Sequence, residues 1–218
     1  MNMKCEAVIF DLDGTLLDTL QDLADAVNGV LSRSGFPEHG LEAYRYFVGD
    51  GVEDLARRAL PEKYRDEATV TGFVTAIMEE YGQRWPDHTG PFEGIPELLD
   101  ALTARRIRMA ILTNKPDDST RVMVSKLLPR WQFHIILGAT PSLPKKPDPQ
   151  GALQIADYLN VPPPAFLYVG DSDVDMKTAG AAGMYAVGVL WGFRTADELI
   201  RNGAKVLIDR PLELLELL

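Results

Sequence analysis

Two hydrophobic rhythms run along this chain, and one gives way to the other near residue 90. After a short apolar run, Ala7-Val8-Ile9-Phe10, the stretch from Thr19 to about Gly82 repeats only at helical spacing. Leu20, Leu23, Ala24, Val27 and Leu31 form one stripe, with Asp18 placed to cap its start and Gly35 to stop it. Val52, Leu55, Ala56, Ala59 and Leu60 form a second, closed by Pro61. Val70, Phe73, Val74, Ile77 and Tyr81 form a third, closed by Gly82. Three amphipathic stripes with no strand between them predict a helical bundle.

Beyond Pro91 the rhythm changes. Four short runs are apolar throughout: "RMAILTN", "FHIILG", "AFLYVGD" and "YAVGVL". Helical patterns separate them, around Ile95 to Arg105, Ser119 to Leu128, Gln150 to Leu159 and Val174 to Ala182. Strands that are apolar on both faces and joined by helices belong to a parallel sheet covered on both sides. The opening run, Ala7 to Phe10, joins that set. The expected architecture is therefore α/β: a Rossmann-like parallel sheet flanked by helices, with an all-α domain inserted after the first strand. Residues 1–17 and 86–218 would form the catalytic core, and residues 18–85 a helical cap.

Composition narrows the setting. At 218 residues, with 46% hydrophobic and 25% charged positions, the chain can bury a full core and is not a disordered one. A net charge of −10 disfavours nucleic acid as a partner, since that needs a basic surface to displace counterions. The single cysteine, Cys5, cannot close an internal disulfide. No apolar run is long enough for a bilayer, and Asp11 interrupts the first one too early for a signal peptide. These features suggest a cytoplasmic protein away from membranes, and leave open whether it is a monomer or a homodimer.

The chemistry gathers at the strand ends. The first strand runs into Asp11-Leu12-Asp13-Gly14-Thr15, the second into Thr113-Asn114-Lys115, and the fourth into Gly170-Asp171-Ser172-Asp173-Val174-Asp175. A loop after the third carries Lys145-Lys146-Pro147-Asp148-Pro149. Ligands of open α/β sheets bind outside the carboxyl ends of the strands, so four polar clusters at that edge define one site. Crowding Asp11, Asp13, Asp171 and Asp175 costs several kcal/mol unless a cation joins them. A lysine together with a hard divalent ion of all-oxygen coordination resolves the repulsion, and Mg²⁺ fits that description.

The succession DxDGT, a strand ending in Thr-Asn, Lys-Pro-x-Pro and GDSxxD resembles the haloacid dehalogenase superfamily over essentially the whole chain. The insertion after strand one resembles that of members with a helical cap. The resemblance implies Asp11 as nucleophile, forming an aspartyl-phosphate, and Asp13 as general acid and then base. It implies Thr113 and the Asn114 amide as phosphate ligands, and Lys146 as the group that neutralises the phosphoryl and orients Asp11. Mg²⁺ would be held by Asp11, the Asp13 carbonyl and Asp171, with Asp175 supporting the metal from behind or positioning Lys146. Lys145 is the alternative to Lys146, and Thr113 could simply end its strand. Asp18 reads as a cap, Asp173 as a favourable charge in a first helical turn, and His39, His88 and His134 as structural.

Within the superfamily the resemblance is to the phosphoglycolate phosphatases. It is carried by "FVGDGVEDLARRAL", "DHTGPFEGIPELLDAL", "ILTNKP" and "VLWGF". The Gly49-Asp50-Gly51 loop would meet the leaving group, although an inward-facing Asp50 would repel an acidic one; otherwise these glycines only break two helices. The alternatives are a pyrophosphatase, another sugar-phosphate phosphatase or a β-phosphoglucomutase-like phosphotransferase. A non-catalytic phosphoacceptor or a dehalogenase proper has no use for Asp13. The expected partner is a small phosphorylated metabolite.

Overall fold

In a computed structural model, residues 5–218 are described and divide into two compact units. One comprises the chain up to Leu17 together with Pro91–Leu218; the other is Asp18–Gly90. In chain order, β1 (Ala7–Phe10) comes first, and β2 (Leu17–Asp18) lies where the chain leaves the first unit. The helical unit holds α1 (Leu20–Arg33), α2 (Leu41–Phe47), α3 (Val52–Ala59) and α4 (Glu67–Arg84). β3 (Gly90–Pro91) marks the return and pairs with β2. Then follow α5 (Ile95–Ala104), β4 (Arg108–Pro116), α6 (Asp117–Leu127), β5 (Ile135–Ala139) and α7 (Gln150–Leu159). The chain continues with β6 (Phe166–Gly170), α8 (Asp173–Ala181), β7 (Tyr185–Val189), α9 (Ala196–Arg201) and β8 (Val206–Ile208).

The sheet is parallel, six strands in the order β5-β4-β1-β6-β7-β8. β1 lies inside it, and all four of its residues are completely buried, which is why its sequence shows no polar alternation. Phe10 is in register with Ile111 of β4 on one side and Val169 of β6 on the other. The chain builds outward from β1 through β4 to β5, then returns to place β6 against the opposite edge of β1. That reversal is a topological switch point, where an open α/β sheet leaves a crevice at its carboxyl edge. Beneath one face, Ile9, Ala110 and Tyr168 pack with Ile155, Met176 and Leu199 in a buried cluster that fixes the height of the strand ends.

Several elements differ from the sequence expectation. The sheet has a sixth strand, β8, preceded by α9. Both are too short for periodicity to register, and two residues of "VLI" are only partly buried. The unanticipated α2 buries Tyr44 alone, whose hydroxyl donates to Asn28 Oδ1 at 2.6 Å. α4 passes through Gly82 to Arg84, since Gly82 faces open space and Trp85 beyond it is buried. Thr19, rather than Asp18, occupies the cap position of α1; exposed Asp18 accepts only a long bond from Leu20 N at 3.4 Å.

The helical unit also ends later than Trp85. Buried Asp22, in the first turn of α1, accepts hydrogen bonds from His88 N, Thr89 N and Thr89 Oγ1, the last two at 2.8 and 2.6 Å. These bonds tie residues 86–89 into the helical unit, and its boundary falls at Gly90. His88 thereby has a partner, with Nδ1 2.9 Å from Asp22 Oδ1 across 66 residues of sequence. α4 opens on Asp66, which accepts from Thr69 N at 3.1 Å, and Arg33 of α1 reaches Glu80 of α4 at 2.7 Å. No helix among the described residues is long and apolar enough to cross a membrane.

Candidate active site

The site is built from the chain segments that leave β1, β4 and β6, plus one loop. Asp11 directly follows β1, and its amide still donates to Val169 O of β6 at 2.9 Å. Strand pairing thus extends up to the residue that carries the carboxylate. Asp171 follows β6 in the same way. Asp175 is in the first turn of α8, where it completes a capping box: Ser172 caps the helix while Asp175 Oδ2 accepts from Ser172 N at 3.1 Å.

Lys146 comes from the loop between β5 and α7, and its ammonium joins two of these carboxylates. Nζ lies 2.9 Å from Asp11 Oδ1 and 2.6 Å from Asp175 Oδ1, and all three residues are buried. Lys145, the alternative, is only partly buried. Asn114 fixes the backbone that presents Lys146. Its Nδ2 donates to Lys146 O at 3.0 Å and its Oδ1 accepts from Lys146 N at 2.8 Å. The sequence suggests only a phosphate-binding amide at Asn114; the reciprocal side-chain lock spans 32 residues and is invisible without the fold.

Asp171 is held from two other sides, by Phe193 N at 2.8 Å and Thr15 Oγ1 at 3.2 Å. The close quarters demand glycine. A Cβ on Gly192 would stand 2.2 Å from Asp171 Cβ, and one on Gly170 2.4 Å from Asp175 Cβ. Asp13 faces a different cation, Lys115, whose Nζ is 3.1 Å from each carboxylate oxygen. Lys115 is the main site residue that sequence reasoning passes over, although "ILTNKP" contains it. Buried Thr113 accepts from Lys115 N at 3.3 Å through its hydroxyl. Asp173 pairs with Lys177 one turn along α8 at 2.6 Å.

Gly49, Asp50 and Gly51 lie in the helical unit between α2 and α3. Asp50 is ion-paired there with Arg58, whose guanidinium also donates to the carbonyls of Tyr46 and Phe47 at 3.1 Å. The negative charge that argues against an acidic leaving group is thus answered within its own unit.

Electrostatically the cleft is under strain from like charges. Burial, then the neighbouring charge of Asp175, push the Asp11 carboxyl up to about 8, and Lys146 offsets only part of this. Asp171 is pushed up to about 7 by burial and by Asp175, with relief from the Phe193 amide and Arg194. Burial opposes the charge on Lys146, but Asp11 and Asp175 outweigh it and hold the ammonium well above its ordinary range.

This donor set suits a hard divalent cation. Asp11, Asp171 and Asp175 can each present an oxygen with all three within 4.8 Å of one another. The oxygens of Asp175 are engaged by Lys146 and Ser172, and Asp11 Oδ1 by Lys146 and Leu12 N at 2.7 Å. Asp11 Oδ2 accepts no hydrogen bond among the described residues. A carboxylate oxygen left open in a cleft of raised carboxyls is where a cation relieves most repulsion.

A pH dependence follows. Both carboxyls titrate above the ordinary Asp value of 3.8. Between about pH 4 and 8 the metal-free folded protein therefore holds protons that the unfolded chain has released, and its stability falls as pH rises through that window. Thermal melts in chelator should show a midpoint that declines from about pH 5 to 8. Mg²⁺ should raise it more at the upper end, with net proton release on binding measured calorimetrically in two buffers. Because the pairing of exposed His88 with Asp22 acts in the same direction, Asp171→Asn serves to isolate the site; a decline undiminished in that variant would place its source elsewhere.

Comparison with known proteins assigns the chain to a family. Residues 8–189 match the haloacid dehalogenase-like hydrolases. A phosphoglycolate phosphatase of Pseudomonas putida is 34% identical over 206 residues, spanning 93% of this chain and 75% of its own length. One from Chromobacterium violaceum is 32% identical over 222 residues and spans 100% of this chain and 99% of its own. A crystal structure from Lactobacillus delbrueckii subsp. bulgaricus, provisionally named a phosphoglycolate phosphatase, superposes with a TM-score of 0.91 at 30% identity, covering 98% of each chain. Fold, site and relatives together define an enzyme of the phosphatase class. The chain belongs to the haloacid dehalogenase-like hydrolase family.

Proposed function

We propose that this enzyme is a Mg²⁺-dependent phosphatase that hydrolyses phosphoglycolate to glycolate and inorganic phosphate through an aspartyl-phosphate. The observation that carries the reading is the division of labour between two buried lysines. Lys146 grips one oxygen of Asp11 and leaves the other open, while Lys115 holds Asp13, two residues on, as a separate group. In this reading Asp11 Oδ2 attacks phosphorus as the bond from phosphorus to the ester oxygen breaks, and Asp13 delivers a proton to that oxygen. Asp13 then takes a proton from water, whose oxygen attacks phosphorus and releases Asp11 as a carboxylate.

Thr113 and the Asn114 amide are assigned to the phosphoryl oxygens, and Lys146 to the charge of the transferring group. Asp11, Asp171 and the Asp13 carbonyl would hold Mg²⁺, which when bound would supply further positive charge to the phosphoryl group. Asp175 keeps Lys146 in place. The helical unit is assigned the role of a cap, with its 49–51 loop choosing the leaving group. Support for phosphoglycolate comes from the names of the relatives and from the neutralisation of Asp50 by Arg58.

The test is a comparison of kcat/KM across phosphate monoesters and pyrophosphate with Mg²⁺. Phosphoglycolate should rank first, chelator should abolish turnover, and Ca²⁺ should fail to replace Mg²⁺ because it favours more ligands at longer distance. Asp50→Asn should reorder substrates while leaving p-nitrophenyl phosphate nearly unaffected. Preference for a sugar phosphate or pyrophosphate would reject the substrate, and full activity in chelator would reject the metal.

A further inference from the structure

Lys146 and Lys115, two buried lysines of the cleft, face different halves of the proposed reaction. Lys146 lies between Asp11 and Asp175, on the side of the attacking oxygen. Lys115 lies against Asp13, with Nζ 3.1 Å from each carboxylate oxygen, and its side chain is only 5% exposed. Asp13 serves the ester oxygen that departs, so Lys115 marks the leaving-group side.

The fold builds that position deliberately. Between Leu112 and Pro116 β4 advances four residues while β5 advances two, from Leu137 to Ala139, and the surplus forms a bulge. Bulges beside active sites re-aim the side chains they carry. Thr113 Oγ1 accepts from Lys115 N at 3.3 Å, and Thr120 Oγ1 donates to Lys115 O at 3.3 Å. Gly138 of β5 leaves room for the same segment, since a Cβ there would stand 2.9 Å from Lys115 O. The backbone beneath the lysine is thus fixed before any ligand arrives.

Stability is a weak reason to bury this ion pair. Desolvating two charges costs about as much as their attraction returns, and an apolar pair of similar volume often serves as well. Charge balance during turnover supplies a stronger one. To protonate the leaving oxygen, Asp13 must first carry a proton, and in that state it no longer offers Lys115 a negative charge. An anion on the leaving group replaces that charge at the same moment. The reach is short: in a 2-phosphoryloxy acid the carboxyl carbon lies two bonds, about 2.4 Å, from the ester oxygen. That oxygen must itself come within about 2.7 Å of an Asp13 oxygen to take the proton. Ammonium and carboxylate then meet at the rim of one carboxyl group.

We infer that Lys115 is a specificity-determining residue, selecting esters whose leaving group carries a carboxylate beside the departing oxygen. The inference rests on the phosphatase reading and deepens it, because it names the class of leaving group from the sheet unit alone. Neutral alcohols supply no such charge and are disfavoured as leaving groups.

Steady-state kinetics of the full-length protein with Mg²⁺ test this on phosphoglycolate and its amide, 2-phosphoglycolamide, which differ in charge and little in shape. The parent should favour the acid in kcat/KM by about tenfold or more. Lys115→Met should slow both esters, since Asp13 loses its partner, but it should also bring the acid-to-amide ratio down to about one. Lys115→Arg, which keeps the charge, should retain most of the preference. A parent ratio near one, or no turnover of the acid, overturns the inference without any variant, so poor folding of Lys115→Met does not shelter it. An unchanged ratio in a folded Lys115→Met also overturns it and confines the lysine to Asp13. Failure of the substrate reading looks different: a sugar phosphate or pyrophosphate is then hydrolysed faster than phosphoglycolate, while the acid-to-amide ratio and its loss in Lys115→Met persist.

Discussion

Asp11→Asn is expected to abolish turnover, lowering kcat by roughly 10⁴-fold or more, while the protein folds and melts at least as well as the parent. An amide has no anionic oxygen with which to attack phosphorus, and no other residue near Lys146 can replace it: Asp175 is engaged by Lys146 and Ser172. Stability should follow the opposite course to activity. The Asp11 carboxyl is pushed up to about 8 by burial and by its acidic neighbours, so at pH 8 its charge is a burden that the amide removes. Rapid-quench assays with a radiolabelled substrate, alongside melts in chelator, measure both. Turnover above about a hundredth of the parent rate would place the nucleophile elsewhere, because an enzyme without its attacking group forfeits far more than that.

Lys146→Met carries the second largest effect, and here activity and stability fall together. The side chain is fully buried between Asp11 and Asp175, so its removal leaves buried carboxylates facing one another with no cation. Breaking a buried pair from one side costs about 3–5 kcal/mol, more than replacing the whole pair with apolar groups would. Methionine keeps most of the bulk of the chain and loses the ammonium with its charge and donors, which separates polar interactions from packing. The loss should be largest near pH 8 in chelator and smaller near pH 5, where the Asp11 carboxyl, pushed up to about 8, is protonated and its repulsion is shed. Mg²⁺ should recover part of the stability and little of the turnover, since the ion cannot reproduce a donor at 2.9 Å from Asp11 Oδ1. Denaturant titrations at the two pH values settle the matter: equal losses at both would mean that the lysine acts through packing alone.

The two units differed in how much of them could be read from sequence, for a physical reason. Buried parallel strands write themselves as unbroken apolar runs, so β1, β4, β6 and β7 were legible almost to the residue, as was α7. The sixth strand and α9 were not, because a three-residue edge strand that is partly exposed buries too little to leave a pattern. α2 was hidden for the same reason, with Tyr44 as its single buried residue. Termini misled where a local signal met a tertiary one. Gly82 weakens a helix on its own, but buried Trp85 beyond it rewards continuing the turn.

For the site, the sequence by itself determined which groups are present and that they converge: Asp11 and Asp171 end neighbouring strands, and strand order alone brings such ends to one edge. Pairings were another matter. Lys146 with Asp11 and Asp175, Lys115 with Asp13, and Asn114 with the backbone of Lys146 join positions 29 to 135 residues apart. Nothing in linear spacing distinguishes Lys115 from Lys146 as the partner of a given aspartate. The same holds for Asp22, which closes the helical unit by accepting bonds from His88 and Thr89, and for Arg58, which neutralises Asp50. Local sequence sets the periodicity, the caps and the chemical inventory, because those depend on neighbours along the chain. Only the tertiary structure decided which charge meets which, because Coulombic partners and the depth of their burial depend on distance in space.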